Sequence, residues 1–102
     1  MQLEAGARLR SAVCETQVMV IAAPGGDVAL TCGGAPLLPL GATPPAGATL
    51  AQSARGGALI GNRYVDATGA LELLCTRSGA GTLAAGGEPL RIKEAKALPA
   101  SD

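Results

Sequence analysis

A seven-residue frame occurs twice in this chain, as Thr31-Cys32-Gly33-Gly34-Ala35-Pro36-Leu37 and as Ala84-Ala85-Gly86-Gly87-Glu88-Pro89-Leu90. A shift of 53 residues aligns 18–39 with 71–92 without a gap. Gly26 then meets Gly79 and Leu30 meets Leu83, the Gly-Gly-x-Pro-Leu frames coincide, and upstream Arg10 meets Arg63. The matched glycines and proline are turn formers and the matched leucines are core formers, so the same local structure is expected to be built twice. Cys32 has become Ala85 in the second copy, so thiol chemistry at this frame belongs to one half only.

The stretches between the glycines read as strands. From Ser11 to Ala23 the apolar positions are mostly β-branched, Pro24-Gly25-Gly26-Asp27 is a turn by composition, and 28–32 alternates as a return strand. That predicts a β-hairpin, followed at Gly33-Gly34 by a further turn. The second half repeats the plan: strand 71–75, turn Ser78-Gly79-Ala80-Gly81, return strand 82–85. Residues 1–10 read as an irregular lead-in, and Ala58-Leu59-Ile60 as a short strand. The expected units are a first hairpin module over 9–40, a Pro/Gly/Ala-rich linker over 41–57, a second hairpin module over 58–93 and a tail over 94–102.

Composition limits what such a chain can do. Of its 102 residues 21 are Ala, none is Phe or Trp, and Tyr64 is the sole aromatic. A core of Val, Leu and Ala buries little area per residue at roughly 25 cal/mol per Å², so self-association or another protein partner is expected to supply the missing burial. The formal net charge is zero, with 16% charged residues, and no basic face with aromatic platforms is legible, which argues against nucleic acid. The longest apolar run, 18–23, is too short for a membrane span, and the acidic N-terminus does not read as a secretory signal. The expectation is a cytoplasmic protein whose three cysteines are reduced thiols or metal ligands. The preference for Ala, Gly, Pro and Arg points to a high-GC bacterial genome.

Ser11-Ala12-Val13-Cys14, the Gly25-Gly26 turn and Thr31-Cys32-Gly33, followed by Leu37, resemble the knuckle of desulforedoxin and of the N-terminal domain of desulfoferrodoxin. In that family C-x-x-C, a strand, a Gly-rich turn and C-C-G place four thiolates around one iron. The resemblance implies a rubredoxin-like knuckle in which Cys14 and Cys32 lie side by side, with Ser11 and Thr31 where the other two thiolates would stand. Hydroxyls are poor ligands for a soft tetrahedral metal, and the second copy has Tyr64, Ala67, Ala84 and Ala85 at the corresponding positions. Three readings of Cys14 and Cys32 stay open: two packed thiols, a disulfide bracing a poor core, or half of an iron or zinc site completed by Ser11 or by a second copy across a dimer.

The fold expected is all-β, with two tandem desulforedoxin-like hairpin modules packed as one small domain. A small barrel of five to seven strands is the alternative. Cys75, between Leu74 and Thr76, reads as core. Arg63 and Tyr64 read either as a contact surface or as a core cap (Tyr64) beside a surface pair of Arg63 with Asp66. Neither Gly-Gly pair opens a helix as a phosphate cradle would, and the carboxylates have no partner base, so no enzyme activity is expected. Two functions follow as expectations. One is a non-enzymatic accessory or interaction protein, homo-oligomeric, without a cofactor. The other is a small metal-binding or thiol-redox protein working through Cys14 and Cys32.

Overall fold

The computed structural model describes residues 2–93, so the tail read over 94–102 lies outside the described residues. The described chain is all-β, with ten short strands: β1 (Arg8–Arg10), β2 (Gln17–Ala22), β3 (Leu30–Cys32), β4 (Ala35–Pro36), β5 (Leu38–Pro39), β6 (Arg63–Val65), β7 (Glu72–Arg77), β8 (Leu83–Ala85), β9 (Glu88–Pro89) and β10 (Arg91–Ile92). They form two antiparallel sheets, ordered β10-β6-β7-β2-β1-β5 and β4-β3-β8-β9. Neither sheet closes into a barrel.

Both sheet orders are unchanged when β1–β5 are exchanged with β6–β10, and the registers agree with that exchange. Gln17 pairs with Arg77 and Ala22 with Glu72 about a centre at Met19 and Leu74. In the smaller sheet, Leu30 pairs with Ala85 and Cys32 with Leu83 about Thr31 and Ala84. At the edges, Leu9–Pro39 and Arg10–Leu38 correspond to Tyr64–Ile92 and Val65–Arg91. The offset between corresponding strands is not constant, however. β2 and β7 begin at 17 and 72, 55 apart, whereas β3 and β8 begin at 30 and 83, 53 apart. The gapless alignment is therefore two residues out of step over the first two strands of each half. The connection 23–29 is two residues longer than its counterpart 78–82.

The predicted hairpin across Pro24–Asp27 does not form. β2 belongs to the six-stranded sheet and β3 to the four-stranded one, and the same holds for β7 and β8. Gly25 and Gly26 lie where the chain crosses between sheets. Two-residue hairpins occur instead at Gly33-Gly34 and Gly86-Gly87, where both glycines of each pair have positive φ, as a type I′ turn requires. The lead-in contains β1 with Leu9 buried, and Ala58 makes only an isolated bridge to Gly79. The segment 41–57 carries a single 3-10 turn, Gln52–Ala54, and is tied down by Ala51 N–H to the Gly33 carbonyl and Thr82 N–H to the Ala54 carbonyl.

Strand periodicity explains the core. Leu9, Val18, Val20, Tyr64, Leu73 and Cys75 turn in from the larger sheet and join Leu30, Cys32 and Leu83 from the smaller one, with Leu37, Leu71, Leu90 and Ala58 filling between. The alternate residues face outward. Arg8 and Arg63 stand either side of Met19 and Leu74 in one cross-strand row, and Arg10, Gln17 and Arg77 make a second row at the sheet end. Arg91 pairs beside Val65 on that same outward face. Glu72 is held there by Arg63 at 3.2 Å and Lys93 at 2.9 Å. The outer face of the larger sheet is thus strongly cationic although the whole chain is neutral. No helix among the described residues is long and apolar enough to cross a membrane.

Gly33 and Gly86 separate turn geometry from packing. Both have positive φ, 67° and 59°. A Cβ on Gly33 would strike Leu50 and lie 2.6 Å from Val13, whereas one on Gly86 meets nothing. Gly86→Ala is expected to cost about 1 kcal/mol and Gly33→Ala about 1–3 kcal/mol more. Urea denaturation midpoints check the difference, and equal midpoints would contradict it.

Candidate thiol site

The loop 11–16 between β1 and β2 is closed by Ser11 N–H to the Thr16 carbonyl at 2.9 Å. Inside it, Ser11 Oγ accepts from the N–H groups of Val13 and Cys14, each at 3.1 Å. A short polar side chain bonding backbone two and three residues on is how Ser fixes a tight turn. The turn aims Cys14 Sγ at Cys32 Sγ, 3.8 Å away on β3. Ser11 Oγ and Thr16 Oγ1 each lie 3.2 Å from Cys14 Sγ. Ser11, Thr16 and Cys32 are buried, while Cys14 is partly exposed.

The environments of the two thiols push them apart. Burial alone would raise Cys14, but hydrogen bonds from the Ser11 and Thr16 hydroxyls and from backbone at Thr16 and Gly81 outweigh it and bring its pKa down from 9.0 to about 7. Deeper burial and the adjacent Cys14 charge push Cys32 up to about 11. Near neutrality Cys14 is divided about equally between thiol and thiolate, and Cys32 holds its proton.

The second half supplies the other wall. A Cβ on Gly81 would come within 2.9 Å of Cys32 Sγ and 2.8 Å of Gly33 N, and a Cβ on Gly79 would collide with Thr16 Oγ1 and N. Neither glycine has positive φ, so their smallness is required by close approach rather than by turn conformation. On the open side Cys14 borders a shallow groove of about 200 Å³, lined also by Arg10, Glu15, Thr16, Gln17 and Arg77. Arg77 is paired with Glu15 at 2.7 Å. Arg10 has no ion pair among the described residues.

Thr31 does not belong to this cluster. It alternates with the buried Leu30 and Cys32 and points away, and the fourth polar atom comes from Thr16, which the sequence reading passed over. In register the loop 66–71 corresponds to 11–16, closed by Asp66 N–H to the Leu71 carbonyl. Cys14 therefore corresponds to Gly69 and Thr16 to Leu71, not to the residues a constant 53-residue shift assigns. Arg63 and Tyr64 face opposite ways. Tyr64 is 6% exposed, its hydroxyl accepting from Leu59 N–H at 3.0 Å, and Arg63 pairs with Glu72 rather than Asp66. Cys75 is buried and donates to the Arg77 carbonyl at 3.2 Å.

As a metal centre the cluster is half-equipped. Two sulfurs bound at about 2.3 Å to one tetrahedral ion stand about 3.8 Å apart, which the sulfur separation matches. The remaining atoms are neutral hydroxyls, which suit iron or zinc poorly. Among the described residues no group of three or more His, Cys, Asp or Glu side chains could hold an ion.

Alkylation of Cys14 by iodoacetamide should follow pH with a midpoint near 7, while Cys32 stays unreactive in the folded protein. Thr16→Val, which removes a hydroxyl donor, and Gly79→Ala, which displaces Thr16, should both move that midpoint upward. A midpoint of wild type near 9 would remove the basis for an activated Cys14. Since its folded pKa of about 7 lies below the ordinary 9.0, Cys14 adds stability as pH rises from about 7 to 9. Cys32, raised to about 11, withdraws stability above pH 9. Denaturant midpoints across this range should pass through a maximum near pH 9, and Cys14→Ser should flatten the rising limb.

Comparison with protein-family models, with curated proteins and with solved structures finds no match to this chain.

Proposed function

We propose that this protein is a small thiol-redox module whose working pair is Cys14 and Cys32. One observation carries the reading: a partly exposed sulfur hydrogen-bonded to the Ser11 and Thr16 hydroxyls stands 3.8 Å from a fully buried one. Thiolate attack needs the first feature, and closure of a disulfide inside the chain needs the second. Moving from 3.8 Å to the bonded distance of about 2.05 Å calls for a shift of less than 2 Å, and Cys14 sits in a loop rather than a sheet. We also read the two halves as diverged copies of one desulforedoxin-like unit, supported by the strand orders and registers that survive their exchange. In that reading the loop 11–16 keeps the knuckle turn with Ser11 Oγ in place of a sulfur.

A second reading is a self-associating accessory protein, favoured by the adjacent Leu59 and Ile60, 62% and 64% exposed. An iron or zinc ion held between two copies belongs with it, because one chain lacks the ligands.

Mild oxidation of reduced protein should lower the free-thiol count from three to one, with a mass loss of about 2 Da and a Cys14–Cys32 crosslink in the peptide map. Cys14→Ser and Cys32→Ser should each abolish the loss, whereas Cys75→Ser should not. Three thiols surviving oxidation, or protein purified without chelator carrying about one iron or zinc per two chains, would overturn the redox reading.

A further inference from the structure

We infer that the oxidant taken by Cys14 is a small disulfide bearing carboxylate groups, bound with its acid arm on Arg10 and Arg77. This rests on the thiol-redox reading and adds the chemical class of its substrate. Cys14 lines the shallow groove on its solvent-open side, which gives a reacting sulfur a route to it. Its rim is the cross-strand row of Arg10, Gln17 and Arg77. It opens at the end of a sheet whose outer face also carries Arg8, Arg63, Arg91 and Lys93, with Glu15 and Glu72 as the carboxylates paired among them. Of the two arginines that line the groove, Arg10 is the one left without an ion pair among the described residues, and Gln17 beside it is neutral. Such a field raises the local concentration of anions and repels cations. At about 200 Å³ and open to solvent, the groove admits one sulfur and a short acid-bearing arm rather than a folded protein segment.

The chemistry balances in two displacements. The Cys14 thiolate attacks one sulfur of the disulfide, forming a Cys14 mixed disulfide and expelling the first small thiolate, which takes a proton from water. Cys32, losing its proton to solvent, then attacks Cys14 Sγ. The Cys14–Cys32 bond forms and the second small thiolate leaves. The protein dithiol is oxidised by two electrons and the small disulfide is reduced to two thiols. The Ser11 and Thr16 hydroxyls hold the Cys14 thiolate before attack, and the backbone at Gly81 contributes to the same end.

The test measures the rate of Cys14 oxidation in the full chain by glutathione disulfide (anionic), bis(2-hydroxyethyl) disulfide (neutral) and cystamine (cationic), each divided by its rate with free N-acetylcysteine amide, a thiol whose uncharged backbone favours none of the three. The normalised anionic rate should exceed the neutral rate by about tenfold and the cationic rate by more. The preference should collapse in 1 M salt, where the screening length is about 3 Å. Arg10→Gln should lower the anionic rate several-fold more than it lowers the neutral rate, and Arg10→Glu should reverse the preference. Cys32→Ala should trap the mixed disulfide. Equal normalised rates for all three compounds, with the Cys14–Cys32 bond still forming, would overturn the substrate class and leave the redox reading standing. No reaction of Cys14 with any of them would overturn both.

Discussion

The structure depends on two strand pairings that join its halves, β2 with β7 and β3 with β8. Each lies at the centre of its sheet, so every other strand is added outward from them. Val18 and Val20 of one half are buried beside Leu73 and Cys75 of the other, and Leu30 and Cys32 beside Leu83. A half taken alone would present these strands as bare edges with their inward residues uncovered. For a chain whose core holds a single aromatic ring, that of Tyr64, this shared burial replaces what bulky side chains do elsewhere. The halves therefore form a continuous structure rather than two hairpins laid together.

That continuity makes the thiol site possible on one side only. Cys14 and Cys32 come from the first half, but Gly79 and Gly81, which let Thr16 and Cys32 sit where they do, come from the second. The corresponding loop 66–71 keeps its closing hydrogen bond and an oxygen acceptor at Asp66, yet has Gly69 and Leu71 in place of Cys14 and Thr16. The scaffold is symmetric while the chemistry is not. Segment 41–57 adds to the asymmetry, since Leu50 and Ala51 pack over Gly33 and Gly34.

Much of the fold was legible because strands advertise themselves by alternation and turns by glycine. The Gly-Gly frames do make tight turns, and Leu30, Leu37, Leu83 and Leu90 are buried. The hairpin expected at Pro24–Asp27 was misread because a Gly-rich connection looks the same whether it returns within a sheet or crosses to another. The difference lies in which strand the chain pairs with next, a long-range property. The two-residue offset was hidden for a related reason: Gly26 and Gly79 both lie in sheet crossings, but Gly26 takes positive φ in open space whereas Gly79 is small so that Thr16 fits. At the site, Cys14 and Cys32 stood out as thiols. Thr16 carried no signal, since a buried Thr at a strand start is an ordinary core residue until a sulfur is seen 3.2 Å from its hydroxyl.

The sequence by itself determined an all-β chain that carries one Gly-Gly-x-Pro-Leu frame twice, turns at its paired glycines and a thiol at only one of the two frames, because side-chain alternation and glycine's access to positive φ are local properties. Only the tertiary structure decided that the halves share both sheets, that Arg8, Arg10, Arg63 and Arg91 gather on one face of a neutral chain, and that two cysteines 18 residues apart meet with unequal proton affinities. Those outcomes depend on strand partners and burial depth, which are fixed by contacts between residues far apart in the chain.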